Sequence, residues 1–127
     1  MSDNNCPFCN LDRIPITVTN TMLLIESKFP VAENGHYLII PREHIKSCFD
    51  FNKEEWLDLR TLMNFIKDKM IMERAYFDFN GGFNDGELAG QTVMHAHFHI
   101  IGRKKGDVEN PRGGIRNIIP SKGDYLK

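Results

Sequence analysis

The sequence predicts an α+β domain in which antiparallel strands precede and follow one long helix. Apolar runs bounded by turn residues at 21–26 and 36–40 are typical of strands. A long amphipathic segment at 53–74 then predicts a helix, and an alternating segment at 92–101 predicts a later strand. With 127 residues, the chain is long enough to bury its own core, so we expect a single domain over 1–127.

The first two predicted strands are joined by a turn. TMLLIE ends at Glu26, and Pro30 with the Asn34–Gly35 pair then predicts a reversal of the chain. The second strand is predicted from His36 to Ile40. Pro41 should end it, because proline has no N–H to continue the hydrogen-bond ladder.

The helix is predicted to begin after Asn52, since Glu55 three residues later completes a capping-box pattern. It should end near Arg74. Apolar residues recur at steps of three and four, at Trp56, Leu59, Met63, Ile66 and Met70, flanked by Leu62 and Phe65. Such a broad apolar face exceeds what one small sheet should cover, so we expect a second copy of the chain to pack there.

The remaining segments predict a strand, a loop, the histidine strand and a tail. Tyr76–Asn80 is strand-like, 81–90 is glycine-rich, and the strand at 92–101 follows. Glycine and proline punctuate 106–127, which we expect to be an ordered loop around a short strand.

Composition excludes several classes of function. The net charge of −1 argues against a nucleic acid polymer as partner, and no apolar run is long enough to span a membrane. The opening MSDNN lacks the basic region and the apolar region that are typical of a signal peptide. Three cysteines, an odd number, then indicate reduced thiols, so a cytoplasmic location is expected.

Three of the five histidines fall at alternate positions in HAHFHII, residues 95–101. On a strand, His95, His97 and His99 would share one face. A solvated polar face is one explanation. A metal site is another, although three ligands ~7 Å apart along one strand are strained for one ion. The third is covalent catalysis, in which a neutral imidazole attacks an electrophile such as a phosphate ester.

The loop just upstream favours a phosphate ligand. Its glycines, among them Gly90, would let backbone amides approach an anion, and Asn84, Gln91 and Thr92 add side-chain donors. A glycine-rich loop alone is more often a plain turn. Directly before the histidine segment, it supports a phosphate site.

HAHFHII resembles the His-φ-His-φ-His-φ-φ signature of the histidine triad superfamily, where φ is apolar. The resemblance extends through AGQTVM, GHYLIIPREH and GRKKGD. It is strongest to the fragile-histidine-triad and bacterial dinucleoside polyphosphate hydrolase branches. It implies about five antiparallel strands, one long and one short helix, and a homodimer whose sheet continues across both copies and whose long helices pack together.

The resemblance also implies a reaction. His97 would attack the α-phosphorus of a nucleotide to form a nucleotidyl-histidine, which water then hydrolyses. His99 would hydrogen-bond the α-phosphate or the bridging oxygen. Asn84, Gln91 and Thr92 match positions that hold phosphate oxygens in the family, and Ser27 lies near the position that contacts the ribose.

The motif Cys6-Pro-Phe-Cys9 has three possible interpretations. It could be a redox pair, two incidental thiols or half of a zinc site, and the spacing fits zinc best. In some branches of the superfamily two histidines complete the set, which by position implies His44 and His95 here. The resemblance therefore implies one structural zinc per chain, and no organic cofactor is expected.

The predicted function is a nucleotide hydrolase acting on a dinucleoside polyphosphate or a nucleoside phosphoramidate. Its expected partners are that nucleotide and a second copy of the chain. Three alternatives stay open: a non-catalytic nucleotide sensor or scaffold, a metalloenzyme using the three histidines, and a transferase to a sugar phosphate.

Overall fold

The computed structural model describes residues 4–126, so the ends of the predicted domain, 1–3 and 127, lie outside the described residues. Five strands form one antiparallel sheet in the order β1-β2-β3-β5-β4. The elements are β1 (Thr17–Val18), β2 (Met22–Glu26), β3 (His36–Pro41), α1 (Lys53–Arg74), β4 (Asp78–Gly82) and β5 (Phe98–Arg103). The predicted α+β class is therefore confirmed.

The predicted short helix is reduced to 3-10 turns. Apart from α1, every helical piece in residues 4–126 is a 3-10 turn of three to five residues. These turns are Cys48–Asp50, Glu87–Ala89, Gly114–Ile118 and Pro120–Lys122. No helix in this part of the chain is both long and apolar enough to cross a membrane.

Helix α1 has the predicted bounds because its caps form. Asn52 Oδ1 accepts the Glu55 N–H at 2.8 Å, and Glu55 Oε1 accepts the Asn52 N–H at 2.8 Å. Losing such a cap typically costs about 1 kcal/mol. At the other end, Ala75 takes a left-handed conformation with φ of 57°, which ends the helix after Arg74.

The buried face of α1 is narrower than the predicted stripe. Leu59, Leu62, Ile66 and Met70 are buried on one face of the sheet, against Met22, Leu24, Tyr37, Ile39 and Ile100. Trp56 and Phe65 stay 40% and 45% exposed. Trp56 lies at the edge of this core, with its ring 5.3 Å from that of Phe51. An apolar surface therefore remains on both flanks of the helix.

Strand β4 begins two residues later than predicted. The Tyr76 ring is buried before the strand, and its hydroxyl donates to the Glu33 carbonyl at 2.6 Å. The strand instead includes Gly81 and Gly82, which the sequence assigned to the loop. A Cβ on Gly81 would lie 3.2 Å from the Phe98 ring, so that ring occupies the space of a side chain.

The predicted histidine strand at 92–101 is wrong at both ends, because β5 spans Phe98–Arg103. The ladder between β3 and β5 stops at the pair of Ile39 and Phe98. Beyond it, the Pro41 carbonyl accepts the ring N–H of His95, and the Ala96 N–H donates to the Ile45 carbonyl. Since Pro41 also has no N–H, the segment carrying His95 and His97 lies outside the ladder.

The tail contains no strand within residues 104–126, contrary to the prediction. Its glycines and prolines instead support two 3-10 turns, and Gly113 and Gly114 both have positive φ. The guanidinium of Arg116 donates to the carbonyls of Lys122 and Gly123, each at 3.1 Å. The tail is therefore held by its own polar contacts.

Candidate active site

The histidines gather on the sheet face opposite α1. Leu38 of β3 pairs with His99 of β5, so these two residues share a face, and His36 lies diagonally across the ladder on that same face. The two rings meet there, with His36 Nε2 at 2.9 Å from His99 Nδ1. A lone histidine at the start of a strand is more often structural than functional, so sequence reasoning did not identify this contact. Only the strand register, a long-range feature, brings it to His99.

The hydrogen bonds around this pair fix its tautomers. The Val31 N–H donates to His36 Nδ1 at 3.1 Å, so the proton of a neutral His36 is on Nε2. Nε2–H of His36 then donates to His99 Nδ1. A neutral His99 must therefore carry its proton on Nε2, where it is left as a hydrogen-bond donor.

Both rings favour the neutral form. Burial lowers the pKa of His36. Burial, followed by the charges of His97 and His36, lowers the pKa of His99 to about 4 from an ordinary 6.5. Near pH 7, His99 thus acts as a neutral N–H donor rather than as an imidazolium acid.

His97 has the geometry of a nucleophile. Its Nδ1–H donates to the His95 carbonyl at 2.9 Å, which leaves the lone pair on Nε2. Burial lowers the pKa of His97, which favours the neutral, nucleophilic form. The centroid of the His97 ring lies 5.1 Å from that of Phe8 and 5.1 Å from that of His99, both in edge-to-face contact.

His95 belongs to a different site. One ligand atom each from Cys6, Cys9, His44 and His95 lies within 4.8 Å of the other three. Nδ1 of His95 lies 3.4 Å and 3.6 Å from the two sulfurs, and Nδ1 of His44 lies 3.2 Å from Cys9 Sγ. The zinc–ligand bond lengths give ~3.5 Å for a tetrahedral sulfur–nitrogen edge. The four residues therefore fit one tetrahedral zinc ion.

The surroundings of this cluster also suit a metal. His95 is fully buried, and its Nε2–H donates to the Pro41 carbonyl at 2.8 Å, which directs Nδ1 at the sulfurs. The knuckle is closed by Asn10, whose backbone and side-chain N–H groups both donate to the Cys6 carbonyl.

The predicted phosphate loop is only partly directed at the histidines. Asn84 is exposed and lines a cavity together with His36 and His99. Gln91 is buried instead: its Oε1 accepts the Gly86 N–H, and its Nε2 donates to the carbonyls of Lys46 and Val93. In this conformation no amide hydrogen of Gln91 is free for a substrate. A substrate contact would need its side chain to turn, so that role stays a prediction.

The other predicted substrate contacts lie outside this cavity. Position 90 favours glycine because its φ is 97°. The Gly90 N–H donates to the Glu87 carbonyl at 2.9 Å and is therefore not directed at a substrate. Thr92 is exposed. Ser27 is half-buried and its Oγ accepts the Phe29 N–H at 3.3 Å. Their roles toward a substrate remain predictions.

The sequence of this chain is similar to those of known proteins. The chain is 40% identical over 81 residues to a bis(5'-adenosyl)-triphosphatase of Dictyostelium discoideum, a match covering 60% of this chain and 51% of that protein. Across the first curated relatives, the match spans 40% to 65% of their lengths.

Two solved structures are similar along most of the chain. A zinc-bound histidine triad family protein from Mycobacterium smegmatis has a TM-score of 0.71 and 28% identity, with 84% of this chain and 80% of that chain covered. The diadenosine triphosphate hydrolase of Plasmodium falciparum, in complex with cyclomarin A, has a TM-score of 0.69 and 30% identity, with coverage of 84% and 69%. The HIT domain profile matches residues 11–106. The chain therefore belongs to the HIT domain family.

Proposed function

We propose that this protein hydrolyses a nucleotide at its α-phosphate through a covalent nucleotidyl-His97 intermediate. The observation that carries the proposal is the hydrogen bond from His97 Nδ1–H to the His95 carbonyl, which leaves the lone pair on Nε2 of a ring whose centroid lies 5.1 Å from that of His99. The relatives named as diadenosine triphosphate hydrolases support a dinucleoside polyphosphate as the substrate class. A nucleoside phosphoramidate is the second class that this chemistry fits.

The reaction has two displacements at phosphorus. His97 Nε2 forms a bond to the α-phosphorus while the bond from phosphorus to the bridging oxygen breaks, and the electron pair goes to that oxygen. The Nε2–H of His99 stabilises its developing charge by a hydrogen bond. Water then attacks the phosphorus, the P–N bond breaks, and a nucleoside monophosphate leaves with His97 restored.

His36 is a positioning residue in this scheme. It does not touch the reacting atoms, but its Nε2–H occupies His99 Nδ1 and so keeps the His99 proton on Nε2. The Val31 N–H sets the tautomer of His36 in turn. A phosphate oxygen therefore meets an N–H of defined orientation rather than a ring free to exchange tautomers.

We propose one structural zinc ion per chain, held by Cys6, Cys9, His44 and His95. Four protein ligands leave no open coordination position, so the ion would act as a cross-link and not as a Lewis acid. The cross-link ties the N-terminal knuckle to the segment after β3 and to His95. This stabilises the His95 carbonyl that accepts the Nδ1–H of His97.

The alternative is a nucleotide sensor that binds without turnover. The unprotonated Nε2 of His97 favours the enzyme, because a binder gains nothing from presenting a neutral nucleophile. The test is His97→Ala, assayed with a panel of dinucleoside polyphosphates and phosphoramidates. Turnover should fall by several orders of magnitude while nucleotide affinity survives. Unchanged turnover would contradict the proposal, and a sensor would show no turnover in the wild type.

Stereochemistry tests the covalent route separately. Two in-line displacements give net retention at phosphorus, whereas direct attack by water gives inversion. An α-thiophosphate substrate hydrolysed in isotopically labelled water reports the outcome. Inversion would exclude the nucleotidyl-His97 intermediate.

A further inference from the structure

A cavity of about 560 Å³ opens beside the His36–His99 pair, on the side of β4. Both histidines line it. The rest of its apolar lining comes mainly from two segments that are far apart in sequence. Leu88 and Ala89 come from the loop after β4, and Ile115, Ile118 and Ile119 come from the tail.

The aliphatic side chains of this cavity are unusually exposed. Ile118 is 79% exposed, Leu88 is fully exposed, and Ile115 and Ile119 each expose more than half of their surface. Apolar side chains grouped around a concave site are typical of ligand pockets, where a ligand covers them. The volume also lies within the ~300–1,000 Å³ of small-molecule sites.

The tail is built to hold its isoleucines in place. The Arg116 guanidinium, between Ile115 and Ile118, donates to two carbonyls of the tail and stacks on the Tyr125 ring. Gly123 has no room for a side chain, since Asn117 occupies that space. The exposed isoleucines therefore sit on a fixed turn.

We infer that this cavity is the subsite for the leaving group and takes the aromatic base of a departing nucleoside. The inference rests on the proposed function and adds the class of leaving group. His99 hydrogen-bonds the leaving oxygen in that function, so the group attached to this oxygen extends into the space beside His99. That space is this cavity, which His99 lines and His97 does not.

The lining selects among leaving groups. A bare sulfate or phosphate gains nothing from aliphatic walls, because its charge loses hydration there. A flat base gains stability by burying apolar surface against Leu88 and Ile118. The amides of Asn80 and Asn84, which also line the cavity, offer hydrogen bonds to a base edge or a ribose hydroxyl. A second nucleoside has both an apolar base that can pack on the aliphatic side chains and polar groups that can hydrogen-bond the two amides.

Two substrates with the same nucleotidyl group test the inference. Diadenosine triphosphate has adenosine diphosphate as leaving group, whereas adenosine 5′-phosphosulfate has sulfate. We expect Ile118→Ala and Leu88→Ala each to lower kcat/KM for diadenosine triphosphate on the order of tenfold. The kcat/KM of each variant for adenosine 5′-phosphosulfate should stay within about twofold of the wild-type value. Ile14→Ala, which truncates an isoleucine that is 91% exposed and does not line the cavity, is the matched control and should change neither value.

The outcomes separate this inference from the proposed function. Equal losses on both substrates, or no loss on either, overturn the subsite while wild-type turnover upholds the proposed function. A wild type that cleaves neither substrate overturns the subsite, and one that also cleaves no nucleoside phosphoramidate overturns the proposed function as well. The substituted side chains are exposed, so melting temperatures near that of the wild type should accompany the result. Two variants from separate segments keep the test valid if one of them fails to fold.

Discussion

His36 Nε2 lies 2.9 Å from His99 Nδ1, so the pairing of β3 with β5 itself orients the hydrogen-bond donor of the candidate active site. This relationship makes the donor depend on a residue that does not touch the reacting atoms. It also links the strand register to catalysis, because a shift of one residue would move one of the two rings to the other face.

Replacing His36 should therefore impair catalysis more than binding. We expect His36→Leu to lower kcat by ~10²-fold with little change in nucleotide affinity, because His99 loses the partner that fixes its proton. His36→Gln is the matched control, since its amide N–H can donate to His99 Nδ1 and should restore part of the rate. A nitrophenolate leaving group, which needs little assistance, should narrow the deficit of His36→Leu. If both variants lose the same activity with every leaving group, the positioning role is wrong.

The depressed pKa of His99 predicts how stability depends on pH. The folded state holds that pKa at about 4, whereas an unperturbed histidine titrates near 6.5. As the pH falls below 6.5, the unfolded chain binds a proton that the folded chain refuses. The contribution of His99 is therefore complete above pH 6.5 and is lost as the pH falls to about 4. The groups that face His99 are His36 on β3 and His97, while β4 places Gly82 opposite it.

Urea unfolding of the wild type and His99→Gln at several pH values between 4 and 7.5 measures this contribution. The free energy of unfolding should fall less steeply with acid in the variant. Zinc ligands also take up protons in acid, but both proteins have the same ligands, so their effect cancels in the difference. Parallel curves would show that His99 titrates normally in the folded state.

The sequence predicted the local elements best where one signal was strong. The bounds of α1 follow from the Asn52–Glu55 capping box and a regular apolar repeat, both of which are local. The predicted bounds of the histidine strand were wrong because alternation in the sequence does not show where the hydrogen-bond ladder of the sheet ends. The end of the ladder depends on Pro41, whose carbonyl accepts a hydrogen bond from His95 instead of from a strand partner. This contact joins residues more than fifty positions apart in sequence.

The candidate site shows the same division. The different roles of His95 and His97 were predicted through the family resemblance, and the geometry of the Cys6, Cys9, His44 and His95 cluster agrees with it. The buried amide of Gln91 was not readable, because its partner at Lys46 is set by the tertiary fold.

Removing a cysteine of the cluster should remove metal and stability together. We expect the wild type to carry about one zinc per chain, and Cys6→Ala to lose it with a large fall in melting temperature, because a structural metal is coupled to folding. Cys48→Ala is the matched control, since Cys48 is equally buried but lies in the core beneath α1. It should lose stability and keep its zinc. Metal-free wild type with an unchanged melting temperature would contradict a structural ion.

The remaining apolar surface of α1 predicts a homodimer. The sheet of the same chain covers Leu59, Leu62, Ile66 and Met70 but leaves Trp56 and Phe65 nearly half exposed. A second copy packing helix against helix would bury both flanks, and aromatic side chains contribute strongly to such interfaces. Sedimentation equilibrium at micromolar concentration should therefore give the mass of two chains. Phe65→Lys places a charge in the proposed interface and should shift the protein toward monomer. Phe29→Lys makes the same change at an exposed phenylalanine in the segment between β2 and β3, so the dimer should persist. A wild-type monomer at that concentration would show that these flanks are simply solvated.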